Sequence, residues 1–226
     1  MRIYRNFPEA YNELRRELKE MGIKIHTKSV QNLNIEGKED MSTLEIQNYT
    51  YTVLSPNADE VPVKNIEWAE AEFADRISGD ETLNPGETYK FRSETWTPLL
   101  NELGMFDYTY PQRLANTLVP AIRALKLDLY TRRAFVAVFD AELDSTDDFR
   151  TRIPCTLGYW FNYRQDKLNM TYLLRSSDFG EHYNYDVYLA TRLLNYVASE
   201  IGVQPGTFTH WIGSFHVFAK DVEGVF

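Results

Sequence analysis

Cys155 is the one cysteine of this 226-residue chain, and it follows Pro154 at the start of an apolar segment. A lone cysteine in such a segment is usually a small buried hydrophobic residue. Arg152 and Arg175 could lie near it, and a neighbouring guanidinium favours the thiolate, which is the nucleophilic form of the side chain. Cys155 is therefore a candidate nucleophile, and a buried structural thiol is the alternative.

Arginines near two predicted strand ends could bind a phosphate. Arg175 and Ser176 end one strand and are followed by Asp178. A guanidinium fork and a hydroxyl can both donate hydrogen bonds to a phosphate, and the alternative is a surface ion pair with Asp178. Arg132 and Arg133 precede a second apolar run. Adjacent arginines at a strand entrance are usually solvated, and phosphate binding is again the alternative.

Three further side chains could take part in chemistry. Asp186 lies at the start of the clearest predicted helix, where an acid commonly caps the helix or faces its dipole. Glu72 lies among apolar residues of another predicted helix, which makes it either exposed or functional. His216 lies in the last predicted strand, where a hydrogen-bonded core histidine is the ordinary interpretation.

Composition excludes several classes of protein. The net charge of −9 disfavours a general nucleic-acid binder, which would carry a basic surface. One cysteine allows neither an intrachain disulfide nor a cysteine-based zinc site. No apolar run approaches the roughly 20 residues of a membrane span, and residues 1–6 lack the apolar core of a signal peptide. We expect a cytoplasmic protein without a metal site, a nucleic-acid partner or a membrane segment.

The predicted elements mix helices with strands in a single domain spanning residues 1–226. An uninterrupted apolar run predicts that the strand at 134–139 is buried on both faces. The pattern as a whole indicates an α+β fold around one large sheet. Helices are predicted at 8–21, 65–78, 111–128 and 187–201, strands at 43–54, 134–139, 155–163, 168–174 and 207–218, and a loop at 80–110.

Together these residues resemble the thymidylate synthase superfamily, which includes the pyrimidine-nucleotide hydroxymethylases. The resemblance covers roughly residues 66–218. The nucleophile segment of the family resembles residues 153–156, around Cys155. Its arginine-serine-x-aspartate motif resembles residues 175–178, twenty residues after the cysteine. Its base-reading position falls at Asp186 and its sugar-binding histidine at His216, and no gap is needed between Cys155 and His216.

The resemblance extends upstream. Arg132 and Arg133 match paired arginines that a neighbouring subunit lends to the phosphate in this family. Glu72, followed by Gly79-Asp80, resembles the helix glutamate of the family, and Tyr110 resembles an active-site tyrosine. The resemblance therefore implies a large mixed sheet packed with helices, and a homodimer that forms through one sheet face.

The resemblance also implies a reaction. Cys155 would add to C6 of a pyrimidine nucleoside monophosphate, and C5 would then take a one-carbon unit from 5,10-methylenetetrahydrofolate. Synthases reduce the product of that transfer, whereas hydroxymethylases add water, which Glu72 would order. The remaining roles are phosphate binding by Arg132, Arg133, Arg175 and Ser176, a position towards the pterin for Asp178, and a position towards the sugar for His216.

The base-reading position suggests cytosine. An asparagine, as in the synthases, donates to O4 of uracil and accepts from its N3–H, whereas cytosine presents the opposite pattern. A protonated carboxyl group at Asp186 can accept from the cytosine amine and donate to N3. The sequence thus favours a cytidylate (CMP or dCMP) 5-hydroxymethylase. An alignment with a two-residue gap would instead place Asn184 there and favour a dUMP enzyme, either synthase or hydroxymethylase. A non-catalytic nucleotide-binding relative is the third possibility.

Two departures from the family pattern concern nucleotide binding. Phe218 stands where the family usually has a tyrosine that helps bind the 3′-hydroxyl, so CMP and dCMP both remain open. The family also has an arginine in an N-terminal phosphate loop. Here the region 22–30 offers Lys24 and Lys28 in its place.

Overall fold

The computed structural model describes residues 2–27, 29–30, 33–34, 41–148 and 151–226 of the chain. Within these residues, seven strands form one mixed sheet, and two further short strands pair separately. The strands are β1 (Arg2–Tyr4), β2 (Ile23–Ile25), β3 (Ser29–Val30), β4 (Leu33–Asn34), β5 (Thr43–Val53), β6 (Phe135–Ala137), β7 (Thr156–Arg164), β8 (Lys167–Asp178) and β9 (Gln204–Phe218). The helices are α1 (Phe7–Met21), α2 (Ile66–Ile77), α3 (Ser93–Trp96), α4 (Tyr110–Ala115), α5 (Leu118–Leu127), α6 (Tyr183–Glu200) and α7 (Val222–Val225).

The sheet order brings distant segments of the chain together. The strands lie in the order β1-β5-β9-β8-β7-β6, and β2 pairs with β5. β9 is antiparallel to β5 and β8 is antiparallel to β7, but β8 and β9 are parallel. Parallel neighbours need a crossover connection, which α6 provides here. This mixed sheet packed with helices confirms the predicted α+β fold.

The register of the central strands gathers residues that the sequence separates. Leu174 on β8 pairs with Thr156 on β7, and Asp178 on β8 pairs with His216 on β9. Cys155 immediately precedes Thr156. These residues lie where the central strands begin or end. That end of the sheet carries Cys155, the ends of β8 and β9 and, through the crossover, the start of α6.

Helices pack against one face of the sheet. On α1 the side chains of Leu14 and Leu18 are fully buried, and α6 is buried along most of its length. The opposite face carries Phe135 and Trp160, which pair across β6 and β7 and are 42% and 36% exposed. A partly exposed aromatic pair on an open sheet face agrees with the expectation that this face contacts a second copy, which stays a prediction.

Most of the predicted elements are confirmed with small shifts of their ends. The prediction of a strand pair joined at 164–167 is also confirmed, since Gln165 and Asp166 turn the chain with positive φ angles. The confirmed elements are α1, α2, α6, β5, β7, β8 and β9, of which α6 begins four residues before the predicted start, so that Asp186 lies within its first turn.

The predicted helix at 111–128 is two helices, because the helix is interrupted at Asn116 and Thr117. The Thr117 hydroxyl lies 3.1 Å from the carbonyl oxygen of Arg113 and 3.0 Å from that of Ala137. It thus ties the break to β6. The region 80–110, predicted as a loop, contains α3 and short 3₁₀ turns at Glu87–Arg92 and Thr97–Leu99.

The prediction that 134–139 is buried on both faces is wrong. The strand β6 spans three residues at the edge of the sheet. Ala134, Val136 and Val138 are buried, but the intervening Phe135 faces outward. The physical reason is that the helices cover one face of the sheet at this edge, so an apolar residue on the other face stays partly exposed. Separately, none of the described helices has the length and apolar character needed to cross a membrane.

The close approach of β9 to β8 makes a testable prediction at Gly213, which lies opposite Arg175. A Cβ atom at position 213 would lie 2.8 Å from the Arg175 carbonyl oxygen. We expect Gly213→Ala to lower the free energy of unfolding by about 1–3 kcal/mol, because backbone must shift to admit the methyl group. Thermal unfolding measures this. Gly224→Ala is the control, since no atom lies within 4 Å of its Cβ position, and equal stability of both variants would contradict the packing described here.

Candidate active site

Cys155 lies at the end of the loop that leads into β7, and Arg175 holds that loop. The backbone N–H of Arg175 donates to the Cys155 carbonyl at 2.9 Å. Its guanidinium donates from Nε to the Pro154 carbonyl at 3.0 Å and from Nη2 to the Ile153 carbonyl at 3.1 Å. The Arg175 side chain and the pairing of β8 with β7 therefore fix the backbone of residues 153–155.

The thiol environment combines burial with positive charge. Burial raises the pKa of Cys155, and the charges of Arg175 and Arg152 lower it by less, so the net direction is upward. The expected effect of the guanidinium on the thiolate is present, but desolvation outweighs it. The Arg152 guanidinium lies 5.4 Å from the ring centre of Trp96 and 5.7 Å from that of Tyr108. A thiol in this state stays protonated at neutral pH until its surroundings change.

Asp186 faces the same cluster from the first turn of α6. Burial raises its pKa to about 7, the charge of Arg76 lowers it, and the charge of Asp178 raises it. Its charge in turn contributes to raising the pKa of Cys155 and of Tyr110. Within the described residues, the Asp186 side chain makes no hydrogen bond or ion pair. It is a carboxyl group that can donate or accept at neutral pH.

Asn184, the alternative base reader, faces elsewhere. Positions two apart on an α-helix point in nearly opposite directions, at about 100° per residue. Asn184 lines a cavity of about 180 Å³ between α1 and α6, together with Phe7, Tyr11 and Val61. Its Oδ1 atom is buried and has no hydrogen-bond partner in the described part of the chain. The start of α6 therefore turns Asp186 and Asn184 to different sides, and Asp186 is the one whose charge acts on the Cys155 thiol.

Glu72 is held on both of its carboxylate oxygens. Arg76, one turn further along α2, donates from Nε to Oε1 at 2.8 Å, and the Thr88 hydroxyl lies 3.2 Å from Oε2. The Glu72 and Arg76 side chains are 13% and 9% exposed. The Arg76 guanidinium also stacks 3.6 Å from the ring centre of Tyr110. Glu72 is thus a largely buried, oriented carboxylate, which contradicts the exposed interpretation, and its functional role stays a prediction.

A series of hydroxyl groups connects Tyr110 to β7, the strand that begins immediately after Cys155. The Tyr110 hydroxyl lies 2.9 Å from Thr156 Oγ1, and that atom lies 2.9 Å from the Tyr172 hydroxyl. Tyr159 stacks on Tyr172 with ring centres 4.7 Å apart. Burial raises the pKa of Tyr110 well above its ordinary value, so it remains a neutral donor and acceptor.

Asp178 and His216 lie side by side where β8 and β9 end. Burial raises the pKa of Asp178, while His216 and His182 lower it. His216 is buried, with Nδ1 3.3 Å from both the hydroxyl and the carbonyl oxygen of Ser214. Ser176 pairs with Ser214 between Arg175 and Asp178 on β8. The sequence-predicted arginine-serine-x-aspartate motif and histidine therefore share one edge of the sheet.

Two donor groups lie among aromatic rings in the segment between α2 and α4. Arg92 Nη1 and Trp96 Nε1 are buried and have no hydrogen-bond partner within the described residues. The Arg92 guanidinium lies 4.9 Å from the ring centre of Trp68 and 5.7 Å from that of Trp96. Its charge lowers the pKa of His182, whose backbone N–H donates to the Asp178 carbonyl at 3.1 Å. This aromatic, donor-rich surface fits a planar heterocycle with acceptor atoms.

Arg132 and Arg133 are not brought to Cys155 within one chain. Both are exposed at the start of β6, near the pairing of Phe135 with Trp160. Trp160 is five residues along β7 from Cys155, which at 3.3 Å per residue is about 16 Å. Lys24 is exposed on β2, and Lys28 lies outside the described residues.

Sequence reasoning missed several residues of this cluster. Arg76 could have been found as the i,i+4 partner of Glu72. Thr156 carries a signal only as the last residue of the nucleophile segment, and Thr88 and Tyr108 carry no local signal because tertiary folding alone brings them here. Among the residues described, no group of three or more histidine, cysteine or acidic side chains could hold a metal ion.

Comparisons with known proteins give a family match and a fold match. A family model described as thymidylate synthase matches residues 35–226. A protein of Methanosarcina mazei, provisionally named thymidylate synthase, is 31% identical over 159 residues, which are 68% of this chain and 71% of that protein. A similarly named protein of Methanococcoides burtonii is 34% identical over 126 residues, which are 53% of this chain and 57% of that protein. The solved thermostable thymidylate synthase A of Bacillus subtilis has the same fold, with a TM-score of 0.75 and 19% identity, covering 97% of this chain and 82% of that one.

Alkylation of the single cysteine tests the electrostatics of the site. Because burial raises the pKa of Cys155, we expect iodoacetamide to react slowly at neutral pH and faster through the alkaline range. Removing the charge in Arg175→Met should move the pH profile to higher pH. Arg123→Met, on the exposed side of α5, is the charge-matched control. Intact-mass spectrometry gives the rates, and a profile that levels off below neutral pH would contradict this description.

Proposed function

This chain belongs to the thymidylate synthase family, and we propose on that basis that it is a folate-dependent cytidylate 5-hydroxymethylase. The family transfers one-carbon units to pyrimidine nucleotides and uses 5,10-methylenetetrahydrofolate. The proposal adds the base, the product and the roles of the individual residues. The family match supports a thymidylate synthase equally well, and the names of the relatives favour that second candidate.

The largely desolvated carboxyl group of Asp186, at the start of α6, is the observation that carries the choice of cytosine. A pKa of about 7 leaves comparable amounts of the protonated and ionised forms near neutral pH. The protonated form donates to N3 of cytosine with one oxygen and accepts from the 4-amino group with the other. Uracil has a hydrogen at N3 and an oxygen at C4, so the same contact would leave a buried donor or acceptor unpaired, which costs about 1–3 kcal/mol.

Residues of this chain have roles in each step of the proposed reaction. The Cys155 thiolate adds to C6, which makes C5 a carbon nucleophile, and Asp186 stabilises the charge that develops at N3 and N4. The bound folate supplies a one-carbon unit to C5. Glu72 then orders the water that completes the hydroxymethyl group. A deprotonated thiol is needed at the first step, so nucleotide binding must overcome the burial that raises the Cys155 pKa.

Ligand positions follow from the same geometry. Arg175 and Ser176 would bind the phosphate, and His216 would lie towards the sugar. Asp178, with the unpartnered donors of Arg92 and Trp96, would hold the pterin. Phe218, whose ring packs edge-on against His216, lacks the hydroxyl that would read a 3′-hydroxyl group, so both CMP and dCMP are candidate substrates.

A second copy of the chain is part of the proposal. The family is typically dimeric. The open sheet face with Phe135 and Trp160 would form the interface. Arg132 and Arg133 lie beside Trp160, five residues from Cys155 of their own chain, and would bind the phosphate in the partner's site.

An activity panel tests the proposed function. The protein is incubated with 5,10-methylenetetrahydrofolate and each of CMP, dCMP, UMP and dUMP, and product masses are read. We expect a 5-hydroxymethyl product from CMP or dCMP. Cys155→Ala is the control that should bind nucleotide and give no product. Conversion of dUMP to dTMP with dihydrofolate would establish the synthase instead, and absence of any product would favour a nucleotide-binding relative.

Asp186→Asn should change the base preference. An amide donates to O4 and accepts from N3–H, so we expect kcat/KM to fall for cytidylate and to rise for uridylate. Asn184→Ala, which alters a side chain of the separate cavity, is the control and should leave the preference unchanged. An unchanged preference in Asp186→Asn would contradict the assignment of Asp186 as base reader.

The same variant should be more stable at high pH. The folded-state pKa of Asp186, about 7, lies above its unfolded value, so stability present at low pH is lost as pH rises through the folded pKa. Asparagine removes that loss. The melting temperature of ligand-free Asp186→Asn should therefore exceed that of the wild type most at pH 8, and the difference should shrink towards pH 4.

A further inference from the structure

Arg76 is a buried cation whose position the proposed reaction does not yet explain. Its one ion pair within the described residues is with Glu72, on the same helix. Burial works against its charge, and the Glu72 carboxylate favours it, so the pKa of Arg76 lies above its ordinary value. An isolated surface pair of this spacing would contribute little. This pair is buried, and burial of an ion pair costs desolvation energy that it recovers only with good geometry.

The contacts of Arg76 link two walls of the site. Through Nε it fixes Oε1 of Glu72 on α2. Through its flat face it stacks on Tyr110, whose hydroxyl bonds to Thr156 beside the nucleophile. A guanidinium can make both contacts at once because its donors lie in the plane and its faces remain free to stack. The carboxylate and the nucleophile strand are thus held at a fixed separation.

Thr88 completes the fixation of the carboxylate. Its hydroxyl lies 3.2 Å from Oε2 of Glu72, and its backbone N–H donates to Asp75. Thr88 is itself buried. With one donor on each oxygen, the Glu72 side chain has one orientation, and the remaining lone pairs of its oxygens point in fixed directions.

We propose that Arg76 is a positioning residue for the hydration step: it holds the Glu72 carboxylate, against the Tyr110 wall, at the point where water adds to the substrate. This inference rests on the proposed hydroxymethylase function. Arg76 itself does not touch the reacting atoms. Its role is to fix the distance and direction of the carboxylate, on which efficient proton transfer depends.

The step balances without a further reactant. After one-carbon transfer, C5 carries a methylene group by a double bond, and C6 is bonded to Cys155 Sγ. Water oxygen bonds to the methylene carbon, and its proton passes to Glu72. The electron pair of the exocyclic double bond moves into the ring, forms the C5–C6 double bond, and expels Sγ as thiolate with the electron pair of the C6–S bond.

A double-mutant cycle tests the inference. The substitutions are Arg76→Met and Glu72→Gln, alone and together. Formation of the 5-hydroxymethyl nucleotide is measured with 5,10-methylenetetrahydrofolate, and release of tritium from C5 to solvent is measured separately without it. We expect each single variant to lose about 100-fold in kcat for product, within the range of general acid–base catalysis. We expect the double variant to lose no more than the larger single loss, because Arg76 acts through Glu72. The KM for nucleotide and tritium release, which needs only Cys155 addition, should change much less.

Further variants keep the test decisive if Arg76→Met fails to fold. Arg76→Lys retains the charge but not the planar stack, and should recover part of the lost kcat. Thr88→Val removes the other donor to Glu72 while preserving side-chain shape, and should also lower kcat with little change in KM. Arg192→Met is the control, since it removes an arginine that pairs with Glu70 of the same helix in a more exposed ion pair, and should leave kcat near the wild-type value.

The outcomes separate this inference from the proposed function. Additive losses in the double variant, or equal losses of tritium release and product, would overturn the role of Arg76 while leaving the hydroxymethylase intact. Wild-type protein that releases tritium but forms no hydroxymethyl nucleotide would overturn the proposed function, and the positioning role with it.

Discussion

The parallel pairing of β8 with β9 is the constraint on which the candidate site depends. A parallel pair cannot be closed by a tight turn, so the chain must leave β8, cross the sheet as α6, and return. That path places the ends of both strands and the first turn of the crossover helix at one edge. Asp178, Asp186 and His216, spread over almost forty residues of sequence, meet there for this reason. The antiparallel neighbour β7 then adds Cys155 to the same edge.

Burial gives the cluster its chemical properties and also sets its energetic cost. Desolvation raises the pKa of both Cys155 and Asp186, although the proposed reaction needs the thiol ionised and the carboxyl protonated. The same environment therefore favours the protonated form that the reaction needs at Asp186 and opposes the ionised form that it needs at Cys155. Arg175 and Arg76 are the charges that counter desolvation, one beside each group. Desolvated ionisable groups do not stabilise the fold, and they are typical of functional sites.

The sequence predicted the site residues that follow one another at fixed spacing, and failed where tertiary contacts decide. From Cys155 to His216 the chain forms two strands, one helix and one further strand, so spacing translated directly into position. Arg76 was missed because its importance depends on burial and on stacking against Tyr110, which no spacing reveals. The strand at 134–139 was misjudged because apolar composition predicts burial but cannot say that one sheet face stays uncovered at Phe135. Arg132 and Arg133 are exposed at the start of β6, and their proposed phosphate contact needs a second copy of the chain, so the structure of one protomer does not test it.

The hydrogen bonds that Arg175 already makes leave part of its guanidinium free to recognise a ligand. A guanidinium carries five N–H groups, and the bonds from Nε and Nη2 to the Pro154 and Ile153 carbonyls use two of them. The other three can bind an anion without releasing the loop that carries the nucleophile. The side-chain torsions are already fixed, so an anion bound there would avoid much of the roughly 2 kcal/mol of rotamer entropy that ordering a free arginine costs. Recognition of the charged end of a substrate and alignment of the thiol would then share a single preorganised side chain.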